Sequence, residues 1–162
     1  MITIPWHMFT YDNTDEFTFN GLQMVGRVVN IHDGDTMNVI LPVFDSNLCR
    51  FSIRLNGIDT CEIRSKTESN LKLALQARTR LFELVTSSSQ QPTTDIKKYL
   101  KDNICLVHVR CYDFDKYGRL LADVSVKEGE EVFSSILLKE KLAYAYDGGK
   151  KLTEEEQIER LK

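Results

Sequence analysis

The chain has 162 residues, of which 42% are hydrophobic and 28% charged, and its formal net charge is -3. That length suits one domain with a real core, and no apolar run is long enough to span a membrane. The acidic balance excludes a globally basic nucleic-acid binder. The excess negative charge sits at the two ends, however: Asp12, Asp15 and Glu16 near the start, and Glu154, Glu155, Glu156 and Glu159 near the finish. The span between them is weakly basic and can form a local basic cleft.

The opening residues show no basic region followed by an apolar core, so no signal peptide is expected and an intracellular location is inferred. Cys49, Cys61, Cys105 and Cys111 form no C-x-x-C pair. Free thiols in a reducing compartment are expected, and the ligand spacing of a zinc site is missing.

Residues 1–20 show no helical period. Trp6, Phe9, Tyr11, Phe17 and Phe19 stand among polar residues and read as an arm that packs back on the body. Base stacking on these rings is the alternative. Leu22 to Asn30 is strand-like, Asp33-Gly34 supplies a turn, and Thr36 to Leu41 reads as the returning strand of a hairpin. Leu48 to Gly57 follows as a third strand. Phe51, Ile53 and Leu55 alternate there with Ser52, Arg54 and Asn56, and Gly57 marks a bend or close backbone approach.

Thr67 to Val85 reads as a helix with Leu71, Ala74, Leu75, Leu81, Phe82 and Val85 on its apolar face, capped by Thr67 or Ser69. Thr86 to Thr94 is a polar loop, and Asp95 to Leu100 a short helix. Ile104 to Cys111 and Leu120 to Val126 are the fourth and fifth strands. His108, in the fourth, is expected to be structural. Val132 to Leu142 fits a helix packed by Phe133, Ile136 and Leu137. Gly148-Gly149 is expected to end the body, and Thr153 to Glu156 opens a last helix with a capping box. This order predicts an α+β fold: a five-stranded OB-type β-barrel with two to three packed helices.

Three polar stretches carry the chemistry. They are Asp33-Gly-Asp-Thr36, then Arg54 to Glu62 (Arg-Leu-Asn-Gly-Ile-Asp-Thr-Cys-Glu), then Asp115-Lys-Tyr-Gly-Arg119. Asp35 and Asp59 are hard oxygen donors that suit calcium or magnesium. Arg54 and Arg119 offer planar guanidinium groups that match phosphate geometry. Glu62 can orient or deprotonate a water.

In order and internal spacing these stretches resemble the staphylococcal-nuclease-like (thermonuclease) family over about residues 22–146. The resemblance implies a nuclease-like domain over 21–162, after the arm 1–20, with an insertion near 86–103. It implies a calcium-dependent phosphodiesterase that hydrolyses DNA and RNA to 3′-phosphate products. In that reading Asp35, Asp59 and the Thr60 carbonyl hold calcium, with Asp33 acting through water. Arg54, Glu62 and Arg119 are catalytic, and Lys116 and Tyr117 hold a terminal phosphate. The sequence departs from the family at Cys61, where a proline is usual and whose replacement is expected to loosen the backbone ahead of Glu62. Its acidic charge is a second departure. The rival is an OB-type module that binds single strands or a protein without turnover.

Overall fold

The computed structural model describes residues 1–87 and 95–162. In chain order its elements are β1 (Gln23–Asp33), β2 (Thr36–Val43), β3 (Asn47–Leu55), β4 (Ile58–Asp59), α1 (Glu68–Thr86) and α2 (Ile96–Asp102). They continue with β5 (Leu106–Phe114), β6 (Leu120–Ser125), α3 (Phe133–Lys139), β7 (Tyr144–Ala145) and α4 (Glu154–Arg160). Five strands close a barrel in the order β1-β2-β3-β6-β5, with β5 pairing back onto β1. The β3–β6 pair is parallel and the other barrel pairs are antiparallel. This is the α+β OB-type barrel that the element order predicts. Among the described residues, no helix is long and apolar enough to cross a membrane.

Period-two alternation builds the interior. Met37, Val39 and Leu41 of β2, Ile53 and Leu55 of β3, and Leu120, Ala122 and Val124 of β6 are all fully buried. Each large aliphatic removed from water in this way contributes roughly 1.5–3 kcal/mol. Leu81 and Phe82 of α1, Leu100 of α2, and Phe133 and Leu137 of α3 join the same core. The turn between β1 and β2 is drawn tightly onto α1. A Cβ at Gly34 would stand 2.5 Å from the Ala77 Cβ, so only glycine fits there.

Local details differ from the sequence reading. β1 runs on to Asp33, which pairs with Thr36, so the hairpin is tighter than its Leu22–Asn30 estimate. The buried stripe of α1 is Asn70, Ala74, Ala77, Leu81, Phe82 and Val85, whereas Leu75 is exposed. The close approach of Gly34 fixes the helix phase at Ala77, and Asn70 finds polar partners that let it replace Leu71 inside. Thr67 occupies the N-cap position of α1, but its hydroxyl donates to Glu154 instead of capping. The third helix stops at Lys139, with Lys141 in the left-handed region at φ 58°.

The arm is only partly packed. Phe19 inserts between Phe51 and Phe114, and Phe17 leans on Phe19 and Phe44. Trp6, Phe9 and Tyr11 remain exposed, contrary to expectation. Their segment satisfies its polar groups locally instead: Asn13 accepts from the Thr10 N–H and donates to the Met8 carbonyl. Within residues 86–103, α2 buries Ile96 and Leu100. Most of the polar loop from Thr86 to Thr94 lies outside the described residues.

Candidate functional site

Register brings the three polar stretches together. Thr36 of β2 lies opposite Arg54 of β3, which sets Asp35 beside the arginine, and the Leu55 N–H donates to the Asp35 carbonyl at 2.9 Å. β4 then pairs with β7, so that Asp59 lies opposite Tyr144.

The centre is a closed network. Arg54 donates from Nη1 to the Ile58 carbonyl at 2.7 Å and from Nη2 to Asp59 Oδ1 at 3.0 Å, and Nη2 lies 3.6 Å from Asp35 Oδ2. Tyr144 Oη donates to the other Asp59 oxygen at 2.6 Å, and the Thr36 hydroxyl donates to Asp35 Oδ1 at 3.0 Å. The Tyr146 ring lies 5.1 Å from the Arg54 guanidinium carbon. Asp35, Arg54, Asp59 and Thr60 are all buried.

Burial drives the Asp35 carboxyl up to about 7; Arg54 pulls against that rise and Asp59 adds to it. Burial also pushes the Tyr144 phenol upward, and Asp59 pushes the same way. Two carboxylates crowded at one arginine thus leave a surplus of buried negative charge.

These residues fit a hard divalent cation. They offer carboxylate and peptide oxygens, and Thr60 Oγ1 is buried without a hydrogen-bond partner. Among the described residues, no three His, Cys, Asp or Glu side chains are grouped to hold a metal by themselves. A cation here would therefore need backbone, water or substrate oxygens to complete its shell. Asp33, expected to act through water, accepts from the Ile63 N–H at 3.1 Å and so fixes the loop after β4.

The rim is looser. Glu62 is half exposed, and its Oε1 lies 3.2 Å from Lys151 Nζ. Cys61 beside it is buried, and the Asn70 amide donates to its sulfur at 3.8 Å. The backbone loosening expected at Cys61 is thus opposed by packing. Burial raises that thiol to about 11, so it stays protonated. All four cysteines are free.

Arg119 is held by its own loop. Its Nε donates to Asp115 Oδ2 at 2.7 Å, while Asp115 Oδ1 accepts from the backbone of Tyr117 and Arg119. Burial acts against the Asp115 charge, but these hydrogen bonds outweigh it and lower the pKa. Gly118 completes the turn at φ +81°. Lys116 and Arg119 both approach the exposed Tyr117 ring, at 5.2 and 5.5 Å from its centre.

Two adjoining clefts share Arg54 and Arg119. The smaller, about 350 Å³, also contains Asp35, Asp59, Thr60, Glu62 and Lys151. The larger, about 850 Å³, contains Lys116, Tyr117, Tyr144, Tyr146 and Lys150. All eight sequence-derived site residues (Asp35, Arg54, Asp59, Thr60, Glu62, Lys116, Tyr117 and Arg119) therefore line one continuous surface. Sequence reasoning missed Tyr144, Tyr146 and Lys151 as site builders, and gave Asp115, which opens the third stretch, no role of its own. The Tyr-Ala-Tyr alternation was a usable strand signal, and an Asp opening a Gly turn was another. Nothing local marks Lys151. The Gly148-Gly149 boundary is also corrected: the chain turns back there, and Gln157 and Leu161 are buried beyond it.

An OB-type barrel with paired buried carboxylates and two arginines on one cleft defines the class. Residues 52–162 match the family model described as staphylococcal nuclease homologue, and the chain belongs to that family, a nuclease-like or nucleic-acid-binding domain. The match begins inside β3, so Asp33 and Asp35 precede it and join the site only through strand register. Among curated proteins none matches the chain.

Proposed function

We propose that this protein is a calcium-dependent phosphodiesterase that hydrolyses DNA and RNA to 3′-phosphate products. The observation that carries the reading is the single cleft in which Asp35, Arg54, Asp59, Glu62 and Arg119 stand together. Asp35, Asp59 and the Thr60 carbonyl would hold the ion. When bound, calcium supplies a fixed charge that polarises a phosphate oxygen.

The chain's own groups do the rest. Arg54 and Arg119 bind non-bridging phosphate oxygens. Negative charge gathers on these oxygens as phosphorus becomes five-coordinate, so fixed cations stabilise that state more than the ground state. Glu62 orients a water and takes its proton as the water oxygen attacks phosphorus. The bond to the 5′-oxygen breaks, its electron pair stays on that oxygen, which takes up a proton from solvent to become a hydroxyl, and the phosphate remains on the 3′ side. Lys116 and Tyr117, exposed at the mouth of the larger cleft, hold a terminal phosphate.

A second reading, a binding module without turnover, is favoured by one observation. Asp35, Arg54, Asp59 and Tyr144 satisfy one another, as a purely structural ion cluster would. One assay separates the two readings: single-stranded DNA with calcium, then with excess chelator. Cleavage that depends on calcium is expected. Binding without cleavage in both conditions assigns the module, and full activity in chelator removes Asp35 and Asp59 from a metal role.

A further inference from the structure

The segment after β7 reads Asp147-Gly-Gly-Lys-Lys151, and its backbone is fixed at both ends. Upstream, Tyr146 Oη donates to the Gly149 carbonyl at 2.7 Å, and the Gly149 N–H donates to Asp147 Oδ1 at 2.9 Å. Downstream, the Thr153 hydroxyl accepts from the Glu156 N–H at 3.2 Å and caps α4. α4 is in turn clasped to the start of α1. Ser65 donates to Glu154 Oε1 at 2.6 Å, and the Thr67 hydroxyl donates to Oε2. The buried Asn70 amide donates at 3.0 Å both to the Glu154 carbonyl and to Gln157 Oε1.

Lys151 therefore stands between two anchors and over the smaller cleft, with Arg54 and Arg119 in the same wall. An exposed lysine–glutamate pair is ordinarily a weak surface contact. Here the partner is Glu62, the group assigned the water's proton, and the pair sits at the cleft itself. Burial works against the Lys151 charge, but Asp59 and Glu62 outweigh it and raise its pKa, so the side chain is a cation at neutral pH. An ammonium on a flexible stem can exchange one oxygen partner for another with no backbone movement.

We propose that Lys151 is a phosphate-binding residue: it pairs with Glu62 in the substrate-free cleft and passes to a non-bridging phosphate oxygen of a bound strand, releasing the Glu62 carboxylate toward water. The inference rests on the nucleic-acid reading of this cleft and adds a cation that none of the three polar stretches contains.

The test uses the full chain and an oligothymidylate probe. Binding is followed by fluorescence anisotropy in chelator and single-turnover cleavage in calcium, each over a series of salt concentrations. Lys151→Ala is expected to weaken half-saturation about tenfold, and its log–log salt slope should be shallower by about 0.7, the loss of one phosphate contact on a single strand. Lys151→Arg should recover most of both, and the melting temperatures of both variants should match the parent. A Lys151→Ala protein with parental half-saturation and slope overturns the proposal. So does equal weakening of the Ala and Arg variants with a lowered melting temperature, which would mark a structural lysine. If the parent chain binds no oligothymidylate in either condition, the nucleic-acid reading itself fails and takes this inference with it.

Discussion

The centre of the site and its rim are built on opposite principles. At the centre, Arg54, Asp35, Asp59 and Tyr144 are buried, and strand register fixes each one. At the rim, Glu62, Lys116, Tyr117 and Arg119 sit on loops: Asp115 holds Arg119 and the Tyr117 backbone from within one turn, and Lys151 pairs with Glu62 from far along the chain. Removing a central group should therefore damage fold and chemistry together. Removing a rim group should damage chemistry alone.

Arg54→Ala is the strongest challenge to that division. It strands two buried carboxylates, so a stability loss of about 3–5 kcal/mol is expected, along with a large loss of turnover. Urea melts and single-turnover rates measured on the same preparation decide it. A variant that folds as well as the parent would mean the centre is less interlocked than its hydrogen bonds indicate.

Arg119→Ala should lower the single-turnover rate by roughly 10²–10³ while leaving the melting temperature nearly unchanged. Among the described residues its side chain hydrogen-bonds only to Asp115, within its own loop. If the variant binds substrate poorly but turns over normally at saturation, Arg119 is a binding contact rather than a catalytic one. Glu62→Gln should likewise reduce turnover without loss of stability.

Tyr144→Phe sharpens the comparison at smaller scale. It removes the phenol hydrogen bond to Asp59 but keeps the ring, and the unpaired carboxylate oxygen should cost about 1–3 kcal/mol. A neutral result in urea melts would show that water reaches Asp59 from the cleft.

A pH series tests the crowding of charge at the centre. Folding raises the Asp35 pKa from its ordinary value to about 7. Between those two values the folded chain holds a proton that the unfolded chain releases, so the metal-free protein should lose stability as pH rises toward 7. If Asp35 holds calcium as proposed, saturating calcium should suppress that loss, since the ion would take the proton's place. A melting temperature that rises with pH in chelator, over the same window, contradicts the crowded-carboxylate picture. The smallest effect is expected for Lys116→Ala, an exposed group whose loss should change substrate affinity by only a few-fold in the same binding titrations.

The sequence by itself determined the barrel. Alternation of apolar and polar residues in Phe51–Leu55 reports one buried face for that strand, the apolar stretch Thr36–Leu41 reports its neighbour, and Asp33-Gly34 reports the turn between β1 and β2. It also determined the chemical inventory, because Asp35, Arg54, Asp59, Glu62 and Arg119 fall in short motifs whose spacing is local. What only the tertiary structure decided is which of these groups are locked and which are free. Asp59 is locked because β7, some eighty residues later in the chain, pairs with β4 and delivers Tyr144. Lys151 reaches Glu62 because α4 is clasped to α1 by Asn70 and Glu154. The buried face of α1 keeps Ala74, Leu81, Phe82 and Val85 from the helix's own apolar pattern, while the contact of Gly34 with Ala77 and the partners of Asn70 decide the rest. Hydrophobic periodicity encodes contacts between a residue and the core, and therefore survives in one segment of sequence. Polar contacts between distant segments depend on distance and angle at a single pair of atoms, and these exist only once the barrel has closed.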